Sequence, residues 1–191
     1  MEIYEWRSDV EGYRWLTTVV AEHLERLSFE GVPVRQPWTP PAMEWILDQE
    51  GDIGLAVSDC PTLTPGAVVL SARAVTGLGA LLEPYGELLP LAHPQHKYFA
   101  LNVTHVIDAL DEATSSVVRF PSSGRIMTVQ LYSFKPEALT DEFLFKESRL
   151  VRLNPFVTKD FVDRVAELGL TGFAFRKVWS NENAAKRSKG L

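Results

Sequence analysis

The fold turns on Gly86–Ser116, GELLPLAHPQHKYFALNVTHVIDALDEATSS. Tyr98 to Val103 is aromatic and aliphatic with little polarity, the composition of a strand buried on both faces. Leu91 to Lys97 before it is turn-prone and holds Pro94, which cannot donate to a sheet ladder. After the strand, Val106, Ile107, Ala109 and Leu110 alternate with Asp108, Asp111 and Glu112. Apolar pairs flanked by carboxylates predict a short helical turn at the surface.

Working outward, Met1–Trp6 reads as an opening strand. Tyr13–Ala21 is β-branched and aromatic and reads as a second strand. Arg7–Gly12 would join them as a hairpin. Glu22–Leu27 has the pattern of a helical turn. Pro37, Pro40 and Pro41 forbid a regular ladder, and Thr39 could cap a short helix over Met43–Leu47. Gly51–Val57 reads as a short strand or extended edge. Ala67–Leu70 predicts a buried strand and Ser71 an N-cap. Val75, Leu78, Leu81 and Leu82 then recur at helical spacing up to Pro84. Gly77 and Gly79 within that helix suggest close packing.

Val117–Phe120 and Ile126–Phe134 flank the turn Pro121-Ser122-Ser123-Gly124 and predict a hairpin. Phe143–Phe145 suggests a strand edge. Thr158 caps a last helix with Phe161, Val162, Val165 and Leu168 on its apolar face, and Gly169 stops it. Leu170–Val178 makes a final strand. The expected class is α+β: a mainly antiparallel sheet of hairpins covered by helices 72–82 and 159–168. One globular domain over 1–180 is expected, because residues 1–64 alone would form a marginal core. Residues 181–191, with Lys186, Arg187 and Lys189, read as a disordered basic tail.

The chain has 191 residues, is 46% hydrophobic and carries a net charge of −6. That charge argues against general nucleic-acid binding, which needs a basic footprint, and suits a basic partner. A single cysteine, Cys60, excludes an internal disulfide framework. No signal peptide or apolar run of about 18 residues is visible. The expectation is a cytoplasmic protein without a membrane span.

Several constellations could carry chemistry. His93 and His96 have the spacing of a two-imidazole metal site, with His105 as the further ligand, but zinc wants three or four ligands. Loop histidines without metal are the expectation. Cys60 lies beside Asp59, which works against a thiolate nucleophile. His105 with the i, i+3 carboxylates Asp108 and Asp111 could serve a small hydrolase. The same carboxylates could equally cap amides around a turn. Pro121–Arg125 lacks the spacing of a phosphate loop.

GELLPL, YFALNV, VIDALDEATS, FPSSGRIM and GLTGFAF occur here in that order. Together they resemble a family of bacterial immunity proteins found beside polymorphic toxins, formerly a domain of unknown function. The resemblance runs from about Pro65 to Trp179, within a family-like part, 65–179. It implies that the chain binds and neutralises a cognate toxin, without catalysis and without cofactor or metal. Asn102, Asp108, Asp111 and Gly172 are expected to serve as a structural motif. A regulatory or scaffold domain without a toxin partner is the remaining alternative.

Between Arg35 and Arg73 there is no Lys or Arg, while Glu44, Asp48, Glu50, Asp52 and Asp59 all fall there. Trp38, Met43 and Trp45 are interleaved with them. Aromatic anchors among carboxylates suit a binder of a basic surface. Trp38, Glu44, Trp45, Asp48, Glu50 and Asp52 are therefore the expected partner-binding residues. The bland alternative is a solvated acidic face with its tryptophans in the core.

Overall fold

A computed structural model describes residues 1–34, 37–46, 55–64 and 66–181. The strands are β1 (Glu2–Ser8), β2 (Leu16–Thr18), β3 (Met43–Trp45), β4 (Val68–Ser71), β5 (Gly86–Ala92), β6 (Lys97–Val103), β7 (Val106–Ile107), β8 (Ser116–Arg119), β9 (Ile126–Leu131), β10 (Leu144–Glu147), β11 (Phe156–Thr158) and β12 (Phe173–Ser180). Two helices, α1 (Ala72–Leu82) and α2 (Lys159–Glu167), accompany them. The class is α+β, as expected.

Four sheets form among the described residues: β12-β1-β11-β10-β7, β4-β6-β5, β2-β3 and β8-β9. All pairings are antiparallel except β10 with β7. The stretch from Gly86 supplies the middle of the three-stranded sheet, where Tyr98 lies between Ser71 and Leu91. Gly86–Ala92 is itself a strand, and Pro90 is tolerated there because β5 is an edge.

Three apolar layers organise the protein. Val68, Leu70, Leu101 and Val103 face Ala74, Leu78 and Leu82 of α1, and Phe161 and Val165 of α2. Trp6, Leu144 and Val157 bring the five-stranded sheet into the same layer. Val69, Leu89, Leu91, Tyr98 and Ala100, on the reverse of the three-stranded sheet, bury Leu16, Leu27, Phe29 and Met43. Ile3, Phe145, Phe156 and Trp179 face Val129, Tyr132, Phe134 and Leu139. The hairpin β8–β9 forms as its turn signature predicts. Ser71 caps α1 through the Ala74 amide (3.1 Å). Gly77 meets α2's side of the core, where an added Cβ would lie 2.8 Å from Leu168.

Other expectations fail for non-local reasons. β1 does not form a hairpin with 13–21; it pairs with β11 and β12 near the other end of the chain. β2 pairs instead with β3, so Met43–Trp45 is a strand rather than a helix. Val106–Ile107 is a strand against β10 rather than a helical turn. β10 lies inside its sheet, between β11 and β7, not at an edge. Leu81 is exposed, and Ala74 takes its place on the buried face of α1. The helical turn expected over Glu22–Leu27 does form, as a 3-10 segment over Ala21–Leu27. Most of the extended segment expected over 51–57, and nearly all of the basic tail, lie outside the described residues. No helix among the described residues is long and apolar enough to cross a membrane.

Candidate functional site

The residues of the hydrolase-like constellation go to separate partners. His105 follows β6, its amide donating to the Tyr85 carbonyl (3.0 Å). Its Nε2 lies 2.6 Å from Glu142, and its ring stands edge-on to Tyr85. Asp108 accepts from Lys135 (3.1 Å) and Arg149 (2.8 Å), and these hydrogen bonds hold its carboxyl below the usual range. Asp111 accepts from the Ala113 amide (3.1 Å) and the Thr114 hydroxyl (2.7 Å), closing the turn after Leu110. The carboxylate beside His105 is therefore Glu142. Its distance of 37 residues along the chain hid it from sequence reading.

His93 and His96 sit in the turn joining β5 to β6. His93 Nδ1 accepts from the amides of Gln95 and His96, both at 3.2 Å. Its imidazole is thus committed to the turn on one nitrogen. Burial, and then the neighbouring His96, push its pKa down. His105 lies with Glu142, and no group of three or more potential ligands forms among the described residues. Cys60 is buried against Ser8 (3.6 Å), and burial followed by the Asp59 charge pushes its thiol up to about 12.

Asn102 is buried. Its amide donates to the Val32 carbonyl and to Glu87, both at 2.9 Å, and the same Glu87 oxygen accepts the Val34 amide. The pair thereby ties residues 32–34 to the three-stranded sheet. The Gly172 carbonyl accepts from the Asp9 amide (2.8 Å), and the residue packs on Ser58. Asp59, expected on an acidic face, turns inward. It accepts from Ser71 (2.7 Å), Arg73 (2.6 Å) and the Thr171 amide (3.0 Å), which joins the start of α1 to the loop before β12.

Lys146 and Glu147 were not singled out from sequence, yet both are buried on successive, opposite-facing positions of β10. Lys146 Nζ donates to the carbonyls of Phe29 (3.1 Å) and Val151 (2.6 Å). Glu147 accepts the amides of Ala109 (2.8 Å) and Leu110 (2.9 Å) on one oxygen, and Ser148 and Arg149 on the other. Adjacent opposite charges normally mark a solvated strand. Only the non-local carbonyls and amides reveal their role.

The expected partner-binding residues divide. Trp38 is half-buried: its Nε1 donates to the Pro90 carbonyl (2.7 Å) and Arg26 lies over its ring at 5.3 Å. It walls an open groove of about 380 Å³ with Arg26, Phe29, Val32, Pro33 and Pro37. Trp45 is turned toward the interior, edge-on to His93, His96 and Tyr98. Glu44, between them in sequence, is exposed. Asp48, Glu50 and Asp52 lie outside the described residues.

His105, Asp108 and Asp111 thus engage separate partners and are not brought together into one constellation. Residues 91–180 match the Imm11 family of immunity proteins. The match begins within β5 and ends at the last residue of β12, so it takes in β6 and the whole five-stranded sheet except β1. It agrees with the family resemblance read from sequence and supports an immunity-protein role. No curated protein matches the chain.

Proposed function

We propose that this chain is an immunity protein that binds a cognate toxin domain and holds it inactive by stoichiometric interaction in the cytoplasm of the producing cell. The observation that carries this reading is the match of residues 91–180 to an immunity protein family. The net charge of −6 suits a basic toxin, such as one that must hold phosphates, and would raise the association rate. The separate engagement of His105, Asp108 and Asp111 favours binding over catalysis.

The test is co-expression with the toxin domain encoded beside the gene. Protection with a one-to-one complex is expected. Equal killing with and without this chain would end the immunity reading. Replacing His105, Asp108 and Asp111 with Ala separates inhibition from catalysis. A folded variant that still binds toxin yet no longer protects would favour an enzyme.

A further inference from the structure

β2 pairs with β3, and the residues just before it add isolated bridges to a further segment. On one side Leu16, Thr17 and Thr18 pair with Trp45, Glu44 and Met43, and the Ile46 amide donates to the Trp15 carbonyl (2.8 Å). On the other side, Tyr13 bridges to Ala56 and Trp15 to Thr62. Side chains alternate across such a sheet. Leu16, Thr18 and Met43 are buried inward. The outward positions are Tyr13, Trp15, Thr17, Glu44, Ile46 and Ala56.

A sheet with one wet face normally alternates apolar-in with polar-out. Here the outward face is itself aromatic and aliphatic: Trp15 and Ile46 are each 43% exposed, Ala56 is exposed and Tyr13 is half-exposed. The indole of Trp15 reaches the Val10 carbonyl (3.4 Å), so the turn bearing exposed Val10 and Glu11 continues the patch. Contiguous exposed apolar surface marks an interaction site. Among the described residues, the formal charges placed on it by exposed side chains are those of Glu44 and Glu11, both negative. Arg14 alternates to the Leu16 side of the strand. An apolar centre with an anionic rim matches a partner with an apolar patch ringed by Lys and Arg.

We infer that this outward face, centred on Trp15, Ile46 and Glu44, is the docking surface for a toxin domain with a basic rim. The inference rests on the immunity reading above. It moves the aromatic anchor from Trp38 and Trp45, which are partly spent on internal contacts, to Trp15.

The experiment measures binding kinetics of the full chain to the toxin domain encoded beside its gene. Trp15→Ser with Ile46→Ser should weaken affinity about 100-fold, mainly through faster dissociation. Glu44→Lys, at an exposed position, should slow association several-fold and flatten its salt dependence. Phe120→Ser with Met127→Ser, on the exposed β8–β9 hairpin, should change nothing. Unchanged binding in the first two variants, or loss in the third, overturns the assignment. Self-association of the chain that Trp15→Ser with Ile46→Ser abolishes would make the face a homodimer contact and also overturn it. If the unaltered chain does not bind, the immunity reading itself falls.

Discussion

Lys146 Nζ donates to the Phe29 carbonyl at 3.1 Å across 117 residues of chain, from inside a strand of the family-matched span to the segment preceding it. Burial pushes its pKa down from 10.5 to about 8. At this residue the unfolded chain therefore binds more protons than the native one between pH 8 and 10.5. Lys146 thus makes stability rise with pH through that window, opposed above about pH 9 by Cys60, whose thiol burial pushes up to about 12. The Lys146 shift corresponds to about 3 kcal/mol at most. Above pH 10 the effect is opposed by Tyr98, whose phenol burial pushes up to about 12, so that its contribution is lost as pH rises through that range. Urea midpoints at pH 7 and pH 9.5 should show the rise, and Lys146→Met should abolish it. A wild-type midpoint that is flat or falling over that interval would contradict the buried ammonium.

Glu147 should be among the costliest polar residues to alter. Its carboxylate accepts the amides of Ala109 and Leu110 with no exposure to water. Glu147→Gln must turn an NH2 toward one of its two sets of donors, at a cost of about 2 kcal/mol. Glu147→Ala leaves both amides orphaned and should cost more. Denaturant titration checks the order. A loss under about 0.5 kcal/mol for Glu147→Gln, the scale of ordinary surface changes, would remove the network from the account of stability.

Gly172 and Gly124 both have positive φ, at 78° and 67°. A Cβ at Gly172 would lie 2.4 Å from Ser58 Oγ and 2.9 Å from the Cys60 carbonyl, whereas none of the surroundings of Gly124 comes within 4 Å. Gly124→Ala should cost about 1 kcal/mol, the left-handed penalty alone. Gly172→Ala adds a backbone clash and should cost about 3 kcal/mol or more. Equal shifts in thermal midpoint would refute the packing argument.

Cys60 should resist iodoacetamide in the native state at pH 8, because its thiol is buried and pushed up to about 12. Reaction depends on the thiolate. Labelling should appear only in denaturant and follow the unfolding curve. Rapid labelling of the folded chain would show that the thiol is reached without global opening.

Local signals in the sequence were enough for the elements that close on near neighbours. Ser71 and the helical spacing of Val75, Leu78, Leu81 and Leu82 mark α1, the Pro121–Gly124 turn marks the β8–β9 hairpin, Gly169 stops α2, and the apolar run Tyr98–Val103 marks a central strand. Each depends on contacts a few residues apart, which propensity and periodicity report. The family resemblance was likewise carried by short segments in order.

What tertiary structure alone decided is where distant segments meet. β1 could not announce that its partners were β11 and β12, and Met43–Trp45 became a strand because β2 offered it an edge. The same holds for the site. Trp15, read as one residue of a strand, becomes an exposed anchor once the alternation of β2 is set by burial of Leu16 and Thr18. Asp59, read as part of an acidic face, is drawn inward by Ser71, Arg73 and Thr171. A charged or aromatic side chain has no inherent inside or outside. That is settled by which backbone groups and apolar surfaces the completed fold brings within reach.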